Sequence, residues 1–350
     1  MRRVIQTLGA LAAAGAVVFL AVVFGGAYNV AASAGHLPGV EWVLHTTYKN
    51  SVRRRAPSPS EAPILDAAMV RLGARHYDAA CEMCHSRPGQ DRDATIRHMN
   101  PVPPPIHVAV GDWDVGELHW IVDHGVKMSG MPAWPADRAD DVWPVVAFLD
   151  AVEAGMTEDD YLRLTNHGPE PFDYCAGCHG TDGVSGNPQI PRLDIQTEAY
   201  LALSLDAYAT GVRDSGIMAE AASHVPRETL ANLARRFAEA EREDPTPAQD
   251  IDPGLAARGE AIATGAPADD DVPTCQSCHA ADGTARRPEF PVLDGQYAPY
   301  LESQLKLWRD GHRGGGDRQN LMTRAAAELT DDDIAALAAW YASQDPKAPE

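Results

Sequence analysis

Residues 175–179 read Cys175, Ala176, Gly177, Cys178, His179, and the pattern returns at Cys81, Glu82, Met83, Cys84, His85 and at Cys275, Gln276, Ser277, Cys278, His279. CxxCH offers two thiols for addition to haem vinyl groups and an adjacent imidazole for the iron. A CxxC pair taken alone also suits half of a zinc site or a dithiol redox centre. Here all six cysteines fall into three such pairs, each followed at once by histidine, and a zinc pair has no need of histidine at that place. The expectation is three covalently bound haem c groups. Cys81, Cys84, Cys175, Cys178, Cys275 and Cys278 would form the thioethers, and His85, His179 and His279 would bind iron.

The first cysteines of the motifs stand 94 and 100 residues apart in a chain of 350. That length has room for two or three domains, so one haem per domain is expected, each macrocycle adding apolar area to a small core. In the first unit Gly73, Tyr77 and Cys81 recur at spacing four, on one side of a helix that delivers the haem site. The unit closes on Val142, Val145, Val146 and Leu149, an amphipathic stripe with Pro144 in its first turn. The second and third units repeat each other at an offset of 100: Pro191, Leu193 and Asp194 match Pro291, Leu293 and Asp294, while Tyr200, Tyr208 and Arg213 match Tyr300, Trp308 and Arg313. This is an internal duplication. Their closing stripes are Leu230, Leu233, Phe237 and Ile334, Leu337, Ala338, Tyr341, the latter preceded by a capping-box pattern at Thr330 and Asp333.

No strand pattern of any length occurs, and the fold class expected is all-α. Pro169 and Pro171 interrupt the run into Cys175, so the second unit lacks a long leading helix and its haem edge is expected to be the least protected. The boundaries expected are 1–34 for a signal or anchor, 35–63 for an interfacial segment and linker, and 64–156, 157–245 and 246–350 for the three units. The acidic, proline-bearing stretch Glu241–Pro253 separates the last two.

Arg2 and Arg3 precede an uncharged stretch from 4 to 34, within which Leu8 to Ala27 is long and apolar enough to span a bilayer. Ala32, Ser33, Ala34 offers a signal-peptidase site, but the apolar run exceeds a usual signal h-region, and retention as a single-pass anchor in the inner membrane is favoured. Lys49 and Arg53, Arg54, Arg55 follow the span and weaken a positive-inside assignment. Haem attachment decides for export, with the domains facing the periplasm. Trp42 and Tyr48 suit a membrane boundary, and one turn of ordinary linker helix is an equally good account of them. The formal net charge of −21 is dispersed, through Asp137 to Asp141, Glu239 to Asp252, Asp269 to Asp271 and Asp331 to Asp333 among others. Such a surface excludes nucleic acid as a partner and leaves a solvated exterior or a docking face for basic proteins.

The second axial ligand separates an electron carrier from a haem that activates a substrate. Met218 is the single methionine between His179 and Asp250, and Met322 the single one after His279; they follow their histidines by 39 and 43 residues. Both are expected in loops just before the closing helix. In the first unit Met131, within Ser129, Gly130, Met131, Pro132, is preferred, with Met128 second and Met99 also available. Methionine is more often core filler, yet the shared position in three units favours ligation. His98, His107, His119, His124, His224 and His312 compete as ligands, His224 and His312 most directly.

These residues resemble the class I cytochrome c family over about residues 64–345, and the last two units resemble the tandem di-haem cytochromes c of the bacterial periplasm. The resemblance rests on CxxCH, a Pro-x-Leu beginning twelve residues after the histidine in the last two units, the loop methionine and the closing helix. It implies three tandem class I domains behind an N-terminal transmembrane helix, with the Pro191 and Pro291 carbonyls accepting from the His179 and His279 imidazoles. In the first unit Pro103, Pro104 and Pro105 leave the equivalent proline open. The implied function is a relay of single electrons, not an enzyme activity, from a donor such as a quinol-oxidising complex to an acceptor such as a haem-copper oxidase. Two alternatives stand beside it: the electron-accepting cytochrome subunit of a periplasmic dehydrogenase, and a haem enzyme or sensor with an open axial site.

Overall fold

The computed structural model describes residues 1–346 apart from 128, 169, 242–248, 266–273, 280–286 and 317–318. Among the described residues the chain is helical and contains no strand; a single antiparallel bridge joins Arg213 to Gly314. Helix α1 (Arg2–Val23) opens on Arg2 and Arg3 and contains an 18-residue stretch with a mean hydropathy of 2.1, and none of its residues is buried. Its 22 residues extend about 33 Å at the rise of an α-helix, which matches a hydrocarbon layer of about 30 Å. Helix α2 (Val40–Arg55) leaves Trp42 exposed at its start. Its far half docks on the first unit, burying Val52, setting Tyr48 edge-on to Trp113 and pairing Lys49 with Asp112 at 2.7 Å.

The first unit runs through α3 (Ala67–Ala80), α4 (Glu82–His85), α5 (Ile106–Ala109), α6 (Val115–His124), α7 (Trp143–Glu153) and α8 (Glu158–Thr165). Asp66 caps α3 by accepting from the Met69 amide, and Pro144 lies in the first turn of α7, as the stripe predicts. The two helices cross at Gly73, where a methyl group would sit 1.8 Å from the Pro144 carbonyl oxygen. Only a residue without Cβ lets the backbones approach so closely. Around that crossing pack Tyr77, Val145, Val146, Phe148 and Leu149, joined by Tyr161 of α8, whose hydroxyl donates to Asp78 at 2.6 Å. The first core therefore continues past the boundary expected at 156/157.

The second unit has α9 (Pro171–His179), α10 (Glu198–Ala209), α11 (Gly216–Ser223) and α12 (Leu230–Ala238). Pro171 starts α9, where its missing N–H costs nothing, and Phe172 stacks on Phe237 of the closing helix at 5.0 Å. The third unit has α13 (Pro253–Thr264), α14 (Cys275–His279), α15 (Ala298–Arg309), α16 (Gln319–Ala326) and α17 (Asp331–Ala342). The Thr330 and Asp333 capping box forms at the head of α17. Helix α13 crosses α17 at Gly259, where a methyl would lie 2.0 Å from the Ala336 oxygen, so the device at Gly73 recurs. The linker expected over Glu241–Pro253 and the acidic run Asp269–Asp271 lie largely outside the described residues.

The duplicated units face each other through duplicated contacts. Gln196 donates to the Val292 carbonyl at 2.8 Å and accepts from its N–H at 2.9 Å; Gln296 does the same to Arg192, at 3.0 and 2.8 Å. Both glutamines are buried. Each amide side chain thus replaces a strand partner for the other unit's backbone, and the offset of 100 residues makes the pair a local two-fold.

Candidate functional site

Each CxxCH segment ends a helix, so its second cysteine and histidine fall on the same face as the first cysteine. In every unit the imidazole Nδ1 meets a proline carbonyl: His85 with Pro104 at 2.8 Å, His179 with Pro191 at 3.3 Å and His279 with Pro291 at 3.1 Å. A carbonyl only accepts, so Nδ1 carries the proton and Nε2 keeps its lone pair for a metal. Two of these contacts are those the resemblance implied, and Pro104 is the first unit's equivalent. Burial pushes His179 down to about 4, against the pull of the Pro191 bond, and lowers His85 in the same way. Both rings are neutral at neutral pH, the form that ligates.

The thiols fit the other chemistries poorly. Burial pushes Cys81 up to about 12 and Cys175 up to about 11, and raises Cys178 and Cys275 as well. A dithiol redox centre depends on a depressed thiol. Among the described residues no group of three or more His, Cys, Asp or Glu is gathered as a zinc site would require.

A cavity of about 860 Å³ runs through the second and third units. Its wall brings together Cys175, Cys178, His179 and Met218, and likewise Cys275, Cys278, His279 and Met322. Both methionines stand on helices, α11 and α16, not in the loops expected of them. For Met218 the reason is local: Ser215 accepts from its amide and starts a helix in a stretch whose Gly and Arg read as loop. Met131 does occupy a turn between α6 and α7, with its N–H held by Ser129 Oγ at 3.1 Å and its carbonyl by the Val126 amide at 3.2 Å. Met128 lies outside the described residues. Met99 reaches the same turn, since a methyl on Gly130 would meet its Cε at 2.6 Å.

The competing histidines are engaged elsewhere: His98 with the Ala94 carbonyl, His107 with the Gly89 amide, His119 with the Ala139 carbonyl, His124 stacked on Trp120 and His224 with Glu220. His312 follows α15 and is exposed.

The cavity calls for an anionic, largely apolar occupant. Buried Arg213 donates to Tyr300 and Gln304 across the unit interface and stacks on Tyr208; buried Arg313 donates to Gln304 and Tyr200 and stacks on Trp308. Among the described residues neither guanidinium pairs with a carboxylate. Burial alone would raise the Tyr200 phenol, but the two cations outweigh it and bring it down to about 8. Burial and the neighbouring Arg213 push Arg313 down. Two buried cations side by side await negative charge, which the propionates of a haem carry. The buried Tyr341 hydroxyl, also on the cavity wall, has no hydrogen-bond partner among the described residues. The residues present fit haem.

The middle site is covered, against the expectation that it would be the least protected. Leu72, Arg75, His76 and Asp78 of α3 line the same cavity. Arg75 lies so close to the motif that a methyl on Gly177 would meet its Nη1 at 2.2 Å. The missing leading helix is replaced by a helix of the preceding unit, which a unit-by-unit reading cannot see. His76 escaped that reading too; it is buried against Trp134 with ring centres 4.6 Å apart. Gln196 and Gln296 were legible in principle, as identical residues in the duplicated register.

Comparison with known proteins agrees with this geometry. A family model described as "Cytochrome C oxidase, cbb3-type, subunit III" matches residues 68–149, and one described as "Cytochrome c" matches residues 256–345. The thiosulfate dehydrogenase electron acceptor of Thiomonas intermedia is 35% identical over 177 residues, covering 50% of this chain and 80% of that protein. Cytochrome c4 of Pseudomonas aeruginosa is 33% identical over 167 residues, covering 47% and 81%. Cytochrome c-554(548) of Halomonas halodenitrificans is 49% identical over 77 residues, covering 22% and 92%. The proline-held imidazoles and the likeness to these carriers lead to one conclusion: the chain belongs to the class I cytochromes c, which bind haem c covalently and transfer electrons.

Proposed function

We propose that the chain is a membrane-anchored tri-haem relay, with one haem c in each unit and the domains on the periplasmic side. The observation that carries this reading is the threefold recurrence of one arrangement, a CxxCH helix end with its imidazole on a proline carbonyl. Haem supplies one-electron chemistry when bound. The six cysteines would hold it by thioethers, and His85, His179 and His279 together with Met131, Met218 and Met322 would supply the ligands to its iron. The proline carbonyls fix the imidazole planes, and Arg213 and Arg313 neutralise carboxylates between the last two units. The second unit contacts both neighbours, so it stands in the middle of the relay. Helix α1 holds the chain at the membrane.

Intact-mass measurement of the purified chain tests this reading. Three haem masses and no alkylatable thiol are expected; two haems with a free cysteine pair would overturn it.

The likeness to a thiosulfate dehydrogenase electron acceptor favours one specific second reading, an electron-accepting subunit held in a dehydrogenase complex. Purification without detergent-stable partners supports the mobile relay, and co-purification of a catalytic subunit supports the complex.

A further inference from the structure

The helix that carries Met218 is held from the first unit. Asp141 is buried, and its Oδ2 accepts from the Ser215 hydroxyl at 3.0 Å and from the Ile217 amide at 3.2 Å. Ser215 is the cap residue of α11, accepting from the Met218 amide at 3.2 Å. Arg138, also buried, donates to the Asp214 carbonyl at 3.2 Å. The Trp134 indole lies against Gly216, where a methyl would meet its Nε1 at 2.3 Å. Three residues of one first-unit segment therefore grip consecutive residues 214–217 of the second unit, and the next residue is the methionine.

The grip acts where helix position is decided. The first amides of a helix have no partner within it, and here one of them, at Ile217, is satisfied by a carboxylate from another unit. Gly216 gives the indole its space. With the cap, the amide and the preceding carbonyl all fixed, α11 has little freedom to slide or rotate, and a thioether needs a defined position to hold iron against water or another ligand.

We propose that Asp141, supported by Arg138 and Trp134, is a positioning residue for Met218, so that the first unit sets the axial ligation of the middle haem. The inference rests on the reading of Met218 as that ligand. Its consequence is directional: disturbance of the 134–141 segment reaches the second haem without any change in the second unit's own sequence. A partner that docks on the first unit and moves this segment would alter the middle potential.

The test uses the full holoprotein and four variants. Met218→Ala serves as reference: it removes about a third of the thioether-to-ferric-iron band, shifts one couple to lower potential and lets one carbon monoxide bind per reduced chain. Asp141→Ala is expected to produce the same signature at the same couple, with the other two couples unchanged. Asp141→Asn keeps an acceptor oxygen for Ser215 and Ile217 and is expected to restore the band. Arg138→Ala, which leaves Asp141 in place, is expected to give a smaller shift in the same direction and keeps the test open if Asp141→Ala fails to fold. If Met218→Ala changes the spectrum while Asp141→Ala and Arg138→Ala leave the middle couple where it was, the positioning role is wrong and the ligand assignment stands. If Met218→Ala changes nothing, the ligand assignment fails and the inference falls with it.

Discussion

Ser86 follows the first motif's histidine with φ 61° and ψ 176°, a region that glycine occupies freely and other residues rarely. The same place after His179 is Gly180, at φ 81°. What holds Ser86 there is Tyr77, whose buried hydroxyl donates to the Ser86 carbonyl at 2.5 Å. Ser86→Gly should therefore stabilise the first unit by about 1 kcal/mol, and Tyr77→Phe should cost about 1–3 kcal/mol by stranding that carbonyl; chemical denaturation of the two variants measures both. His76 gives a pH dependence. Burial first, then the charge of His224, pushes it down to about 4 from 6.5. As pH falls below about 6.5 the unfolded state takes up the proton and the buried ring does not, so stability is lost down to pH 4, by on the order of 3 kcal/mol. His76→Leu should flatten the fall in melting temperature between pH 7 and pH 4, and an unchanged slope would show that the ring is not buried as a neutral group. At this scale the motif residues were fully legible, because CxxCH is a local pattern. Pro104 was not distinguishable among three prolines, and His76 has no local signature, since the Trp134 ring that covers it is distant in sequence.

Two helix crossings organise the first and third units, and both depend on a glycine. Gly73 under α7 and Gly259 under α17 leave no space for a methyl group. Gly73→Ala and Gly259→Ala should each destabilise the unit concerned by about 1–3 kcal/mol through forced separation of the helices, read as an earlier loss of that unit's native haem absorption on heating. A variant as stable as the parent would show that the helices do not cross there. The closing helices were legible from their stripes, and Val142, Val145, Val146 and Leu149 are all buried as the spacing required. Helix α11 was not, because Gly211 and Gly216 lower the helix propensity around its start, which is set by Ser215 and by Asp141 across an interface. The boundary expected at 156/157 would put α8 in the second unit, yet Tyr161 buries in the first core; chain order states which residues are near in sequence, not which core receives them.

The three CxxCH units follow one another along the chain and are tied by polar contacts of two kinds. The second and third units meet through duplicated glutamines and arginines, so that interface was written in the repeat itself. The first and second meet through Asp141, Arg138 and Arg75, none of which repeats, so no pattern in the chain marks the middle site as covered. The surface remains strongly acidic, at a formal net charge of −21, so association with a basic partner should weaken as ionic strength rises. Each unit is proposed to hold one haem able to accept one electron. Optical redox titration of the holoprotein at known chain concentration counts those electrons: three taken up per chain with methionine-type ferric absorption at each couple are expected, and uptake of two electrons or fewer, or a couple lacking that absorption, would overturn the one-haem-per-unit relay.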